Sequence, residues 1–123
     1  MKKFISLVLC LMLVLSLAAP NVKWWDVHMN MCKRMAEGLK SIGLMKGDTE
    51  EAVRAGAHAM FMPHGLGHNM GMDVHDMEDL GENYVGYGDE RQRSPLLGMG
   101  NLRMARDLKP GHVISDEPGI YFI

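Results

Sequence analysis

Apolar positions fall into two regimes along the chain. Between residues 22 and 44, Val27, Met31, Met35 and Leu39 recur at four-residue steps, while Lys33, Arg34, Glu37 and Lys40 fill the other side. That spacing predicts an amphipathic helix, because positions four apart share a face at 3.6 residues per turn. Gly43 and Gly47 punctuate its end. Asp48 or Thr49 can cap a second helix, with Glu50 and Glu51 in its first turn, where the helix dipole favours anions. This helix is expected to be short, ending near Gly56 or Ala59. From Phe61 to Asp76 no helical period survives and glycines become frequent, which predicts short extended pieces joined by turns. Residues 78–94 are polar and glycine-containing, and read as a long loop with little regular structure. Leu102, Met104 and Leu108 can line one side of a strand. Lys109-Pro110-Gly111 has the central residues of a type II turn, followed by strands at residues 113–116 and 119–123.

The first nineteen residues, "MKKFISLVLCLMLVLSLAA", belong to neither regime. Two lysines precede an apolar run from Phe4 to Leu15, and small residues follow at Ala18 and Ala19. That is the layout of a secretory signal, and the run is short against the roughly 20 residues of a membrane span. The expected organisation is a signal-like segment or N-terminal anchor at residues 1–19 and one domain over residues 20–123. Export or membrane anchoring is the expected location, and membrane contact is expected only if residues 1–19 stay as an anchor. Hydrophobic residues at 47% and charged residues at 23% suit a globular domain and argue against disorder. A net charge of -2 without a basic stripe gives no reason to expect nucleic acid as a partner. Cys10 and Cys32 match no metal spacing or disulfide framework, and Cys32 reads as a small core residue.

Three of the six histidines, His64, His68 and His75, lie in "FMPHGLGHNMGMDVHD". A zinc-peptidase helix would place two histidines four apart with a glutamate after the first. His64 and His68 have the spacing, but Gly65 and Gly67 argue against a helix and the glutamate is missing. In extended chain His64 and His68 point the same way, whereas His75 is an odd number of residues from His68 and points oppositely. A turn at Gly71 can bring all three to one pocket. Glu117, in "SDEPG", is held in the extended region by Pro118 and can bridge or cap a cation. Thirteen methionines with six histidines and a signal-like start also admit an exported Met/His copper-binding protein. Against that, Met31, Met35, Met60, Met62 and Met104 fall at positions that periodicity marks as core.

The two stretches "GAHAMFMPHGLGHNMGMDVHDMEDLGE" and "NLRMARDLKPGHVISDEPGIYFI", in this order, closely resemble the prolidase and aminopeptidase P branch of the creatinase-like metallopeptidases. The resemblance runs from about Val22 to Ile123. It implies an α/β (α+β) domain, part of a pita-bread fold with a curved antiparallel sheet and flanking helices. It implies hydrolysis of the peptide bond before proline, with two divalent ions, most often manganese, activating water and polarising the carbonyl. By position, His68 and Glu117 are the implied metal ligands, with Glu117 beside the attacking water. His64 and His75 are implied to assist catalysis and bind substrate, and Arg103 to hold the substrate carboxylate. The resemblance further implies a proline-containing peptide as partner and admits a homodimer. Its members are mostly cytoplasmic, which conflicts with a signal-like start.

The family resembled uses five protein ligands, namely two aspartates, one histidine and two glutamates, and only His68 and Glu117 have matches here. Two ligands are too few for a two-metal centre. The expectation is therefore a truncated or disrupted gene, carrying the middle-to-late part of a catalytic domain with little peptidase activity. A pita-bread module kept for binding alone is the rival reading, although such modules typically lose the pocket histidines retained here.

Overall fold

A computed structural model of the chain describes residues 22–89 and 91–122. The signal-like segment at residues 1–19 lies outside the described residues. No helix among the described residues is long and apolar enough to cross a membrane.

The predicted amphipathic helix is α1, Trp24–Ser41, and its buried face is Trp24, Val27, His28, Met31, Cys32, Met35, Ala36 and Leu39. The four apolar positions that marked the period are all buried, and Cys32 is the core residue expected. α1 ends three residues before the predicted boundary because Gly43 adopts φ +79. The Gly43 amide then reaches the Lys40 carbonyl and the Leu44 amide the Leu39 carbonyl, a Schellman closure that satisfies the last carbonyls. Its first residue is pinned from elsewhere, since Trp24 N–H donates to the Arg106 carbonyl at 3.0 Å and Lys23 bridges Asp107.

α2, Thr49–Arg54, is capped by Asp48, whose carboxylate accepts the Glu51 amide at 2.9 Å. Backbone hydrogen bonding from Glu51 is the main cause that holds the Asp48 carboxyl below its usual range. Gly56, at φ +79, ends this unit, and a 3-10 turn at Ala57–Met60 follows, burying His58 and Ala59.

The sheet expected from the resemblance, and the three strands predicted for the C-terminal part, do not form among the described residues. The extended pieces pair, but irregularly. Tyr121, Glu117 and Ser115 donate to the carbonyls of Phe61, Leu66 and His68, and Met70 donates back to Val113. Of that antiparallel run only Asn69 and Ile114 make a regular bridge. The reason is local. The His68 amide, which a regular ladder would give to a carbonyl, goes to the Ser115 hydroxyl at 3.0 Å. At the same point Gly67 lies so close to Ser115 that a β-carbon would overlap the Ser115 carbonyl oxygen.

Residues 102–106 depart from strand geometry for a different reason. Leu102 and Met104 are buried as alternation demands, but Ala105 is buried too. The Ala105 and Arg106 amides both converge on the Gly86 carbonyl. That carbonyl belongs to α3, Glu82–Tyr87, a helix inside the stretch read as a long loop with little regular structure. Six residues punctuated by Gly81, Gly86 and Gly88 are too few to show a helical period. α3 is held from outside, with Tyr87 donating its hydroxyl to the Leu102 carbonyl at 2.6 Å and Gly86 lying against the Arg103 carbonyl. The type II turn does form, with Gly111 at φ +93 and the His112 amide donating to the Lys109 carbonyl at 3.1 Å.

One core joins these pieces. Trp24, Leu39, Met62, Leu66, Tyr87, Leu102 and Met104 are all nearly or fully buried. Each such side chain contributes roughly 1.5–3 kcal/mol relative to its exposed state.

Two glycines should respond in opposite senses to the same substitution. Gly67→Ala forces the Ser115 segment away and is expected to lower stability by about 1–3 kcal/mol. Gly38→Ala, inside α1 with nothing within 4 Å of the new methyl, should raise it by about 0.5–1 kcal/mol. Urea unfolding midpoints of the two variants test the contrast.

Candidate active site

His64, His68, His75, Arg103 and Glu117 line one cleft of about 220 Å³, together with Asn101 and Tyr121. Every residue that the resemblance singled out for chemistry is therefore in one place. A larger groove of about 400 Å³ beside α3 is lined by no imidazole or carboxylate.

The glycines of "HGLGH" put the histidines there. A β-carbon on Gly65 would meet the Leu102 α-carbon at 2.6 Å, and one on Gly67 would overlap Ser115. The segment is thus squeezed between residues 101–102 and 115–117, and His64 and His68 emerge on the open side. His75 is returned to them by the turn expected around Gly71. The Asp76 amide donates to the Asn69 carbonyl at 3.1 Å, and the Asp76 side chain occupies the space a β-carbon on Gly71 would need. The His68 and His75 rings meet edge to face, with centroids 4.3 Å apart.

His68 Nε2 lies 2.9 Å from Glu117 Oε1. His68 Nδ1 is 2.9 Å from the Asn69 carbonyl, which can only accept, so this nitrogen carries a proton. In the neutral ring that leaves the Nε2 lone pair facing a carboxylate oxygen. Two acceptors at such a distance need a cation between or beside them, either a proton on Nε2 or a metal ion. Cis ligands about 2.1 Å from a six-coordinate ion would lie roughly 3.0 Å apart, close to the observed separation. A carbonyl behind the second ring nitrogen is also how metal-binding histidines are commonly oriented.

Ser115 links this pair to the backbone. Its hydroxyl accepts the His68 amide. A hydrogen bond from it is the main reason the Glu117 carboxyl is held below its usual range, with burial opposing and the His68 and His64 rings assisting. Burial, then the neighbouring Glu117, pushes the Asp116 carboxyl up.

On the other wall, His75 Nδ1 lies 2.9 Å from Glu78 Oε2, and Glu78 Oε1 lies 2.7 Å from Arg103 Nη2. Arg103 Nη1 pairs with Glu82, which also receives Arg93 at 2.6 Å. Both arms of the Arg103 guanidinium are therefore engaged by the protein's own carboxylates. The Glu78 carboxyl is held below its usual range, first by His75 and then by Arg103. Burial pushes Glu82 up, but hydrogen bonds from Arg93 and Arg103 outweigh it and the net shift is downward. At the mouth, Tyr121 donates its hydroxyl to His64 Nε2 at 2.9 Å, because His64 Nδ1 is committed to the Gly65 carbonyl at 2.8 Å.

Ser115, Tyr121, Glu78 and Glu82 were not singled out in the sequence. Glu78 had a visible signal, since it follows His75 by three residues. Tyr121 and Glu82 act through contacts distant in the chain and leave no local pattern, while Ser115, although beside Glu117 in "SDEPG", also meets His68 far back in the sequence.

The chain belongs to metallopeptidase family M24, which it matches over residues 1–123. It is 42% identical over 110 residues to a Xaa-Pro dipeptidase of Rattus norvegicus, covering 89% of this chain and 21% of the relative. It is 36% identical over 115 residues to Xaa-Pro dipeptidase 2 of Idiomarina loihiensis, covering 89% and 24% respectively. A probable Xaa-Pro aminopeptidase of Botryotinia fuckeliana is 39% identical over 108 residues, covering 88% and 22%. The chain thus spans about a fifth of the length of these relatives. A metallopeptidase family implies a divalent metal ion. The His68 and Glu117 donors fit one edge of such an ion's coordination shell.

The Glu82 shift has a direct consequence for acid stability. A carboxyl whose folded value lies below its ordinary 4.5 stabilises the fold above that pH. This contribution fades as pH falls through the lower folded value, where the unfolded chain binds more protons. Glu82→Gln should therefore be less stable at pH 7 and show a flatter loss of stability below about pH 4.5. Urea unfolding between pH 7 and pH 3 checks both.

Proposed function

We propose that this chain carries the histidine wall and one metal edge of an Xaa-Pro peptidase site, the ion being manganese. The observation that supports the reading best is the His68–Glu117 pair, 2.9 Å apart in the cleft that also holds His64 and His75. The names of the relatives, Xaa-Pro dipeptidase and Xaa-Pro aminopeptidase, supply the substrate class.

On this reading His68 Nε2 and Glu117 Oε1 hold the ion. When bound, the ion lowers the pKa of water and polarises the scissile carbonyl. The protein's own groups do the rest. Glu117 stands beside the attacking water and takes its proton. Glu78 fixes the His75 ring by accepting from Nδ1, leaving Nε2 for the substrate. His64, oriented by the Gly65 carbonyl, presents Nε2 and the Tyr121 hydroxyl at the mouth of the cleft. Arg103 takes the carboxylate of the proline residue by exchanging Glu78 for it.

Among the described residues the pair supplies only two donors, so the ion is held weakly and turnover is low. Retention of His64, His68 and His75 together favours this reading over a module kept for binding alone.

Titration with Mn(II), followed by electron paramagnetic resonance, is expected to find one weak site. His68→Ala and Glu117→Gln should each weaken it by at least about tenfold. Unchanged Mn(II) affinity in both variants would sink the ligand assignment. Hydrolysis of an Xaa-Pro dipeptide by the chain should stay near background with Mn(II). Clear turnover that Glu117→Gln abolishes would overturn the low-activity part.

A further inference from the structure

Asn101 lines the cleft of His68 and Glu117, and its side chain is fixed at one end. Nδ2 donates to the Pro63 carbonyl at 2.7 Å. A carbonyl can only accept, so the amide cannot be turned the other way round without losing that bond. The free end of the side chain is therefore Oδ1, an acceptor, and no donor meets it among the described residues. The tie to Pro63, the residue before His64, holds that oxygen in place.

The other acceptors of the cleft are already engaged. Glu117 Oε1 faces His68, His64 Nε2 receives the Tyr121 hydroxyl, and the His75 ring packs against His68. Asn101 also stands beside the residue to which the proposed function gives the substrate carboxylate. Asn101 and Arg103 flank Leu102, which is fully buried, and both line the cleft. Positions two apart in the chain are at most about 7 Å from each other, and the two ends of a dipeptide span a similar distance. One short ligand can thus touch both side chains.

We propose that Asn101 is a specificity-determining residue that reads the amino terminus of the substrate. Its Oδ1 accepts a hydrogen bond from the α-ammonium while Arg103 holds the carboxylate. The inference rests on the Xaa-Pro peptidase reading of the cleft, and the chemistry of that substrate points to the ammonium. The proline nitrogen in a peptide bond carries no hydrogen, so the α-ammonium is the only main-chain donor that an Xaa-Pro dipeptide offers. A hydrogen bond from a charged donor is roughly twice as strong as one between neutral groups. A carboxamide supplies the acceptor without placing a further anion beside the incoming carboxylate.

The test compares two ligands that differ at that group alone: Ala-Pro, and propionyl-proline, in which hydrogen replaces the ammonium. Binding is followed by two-dimensional amide NMR of the full chain in chelator, where neither an ion nor hydrolysis contributes. The wild type should prefer Ala-Pro by about tenfold or more. Asn101→Leu should bring the two affinities together by weakening Ala-Pro, whereas loss of the Pro63 tie alone would weaken both ligands alike. Asn101→Asp, with a full negative charge at the same point, should widen the preference severalfold, and it decides if Asn101→Leu unfolds. Arg103→Gln should weaken both ligands equally and keep the preference. Equal affinity of the wild type for the two ligands, with both weakened in Arg103→Gln, would overturn the Asn101 assignment alone. So would a preference that survives in folded Asn101→Leu or stays unchanged in Asn101→Asp. Unchanged binding of both ligands by Arg103→Gln would overturn the carboxylate reading, and with it the pairing of the two residues. Failure of the wild type to bind either ligand would overturn both.

Discussion

The contact of Gly67 with the Ser115 carbonyl is the constraint on which the cleft depends. No β-carbon fits between them, so the two segments approach more closely than an ordinary strand pair allows. That approach brings the Ser115 hydroxyl within reach of the His68 amide and carries Glu117 to His68. The pair that the proposed reading takes as a metal edge is thereby made from two side chains 49 positions apart in the sequence. The cost is a broken ladder, because a side-chain oxygen has replaced a backbone carbonyl as acceptor. Regular sheet and working geometry compete at this point, and the geometry of the site wins.

The second wall is organised by charge. Glu78 and Glu82 alternate with Arg103 and Arg93 in one chain of ion pairs that runs from the cleft, where Glu78 also accepts from His75, to the flank of α3. Each group has at least one partner of opposite sign, so no single charge has to be buried alone. The same chain anchors α3, whose six residues would not hold a helix by themselves. Fold and site share these contacts, and a change at Glu82 reaches both.

How much of this was legible depended on the range of the interactions involved. α1 was readable because Val27, Met31, Met35 and Leu39 report a helix face by spacing alone. The cap at Asp48 and the turn at Gly111 were readable because residue type dictates local backbone. His64, His68, His75, Arg103 and Glu117 were readable through their resemblance to a family, and the cleft does collect them. The strands at residues 102–108, 113–116 and 119–123 were expected from alternation, which cannot know that Ser115 would claim an amide or that the Gly86 carbonyl would draw two. α3 was hidden by its brevity and its glycines.

Arg103 is worth following one step further. Its guanidinium already grips two carboxylates of the protein, so an incoming carboxylate does not meet a bare cation. On the proposed reading, recognition there is a substitution, one anion for another, and the number of ion pairs is the same before and after. Added salt screens the pair that breaks as much as the pair that forms. Selectivity at this wall then follows the fit of the arriving group to the planar fork, and depends little on ionic strength.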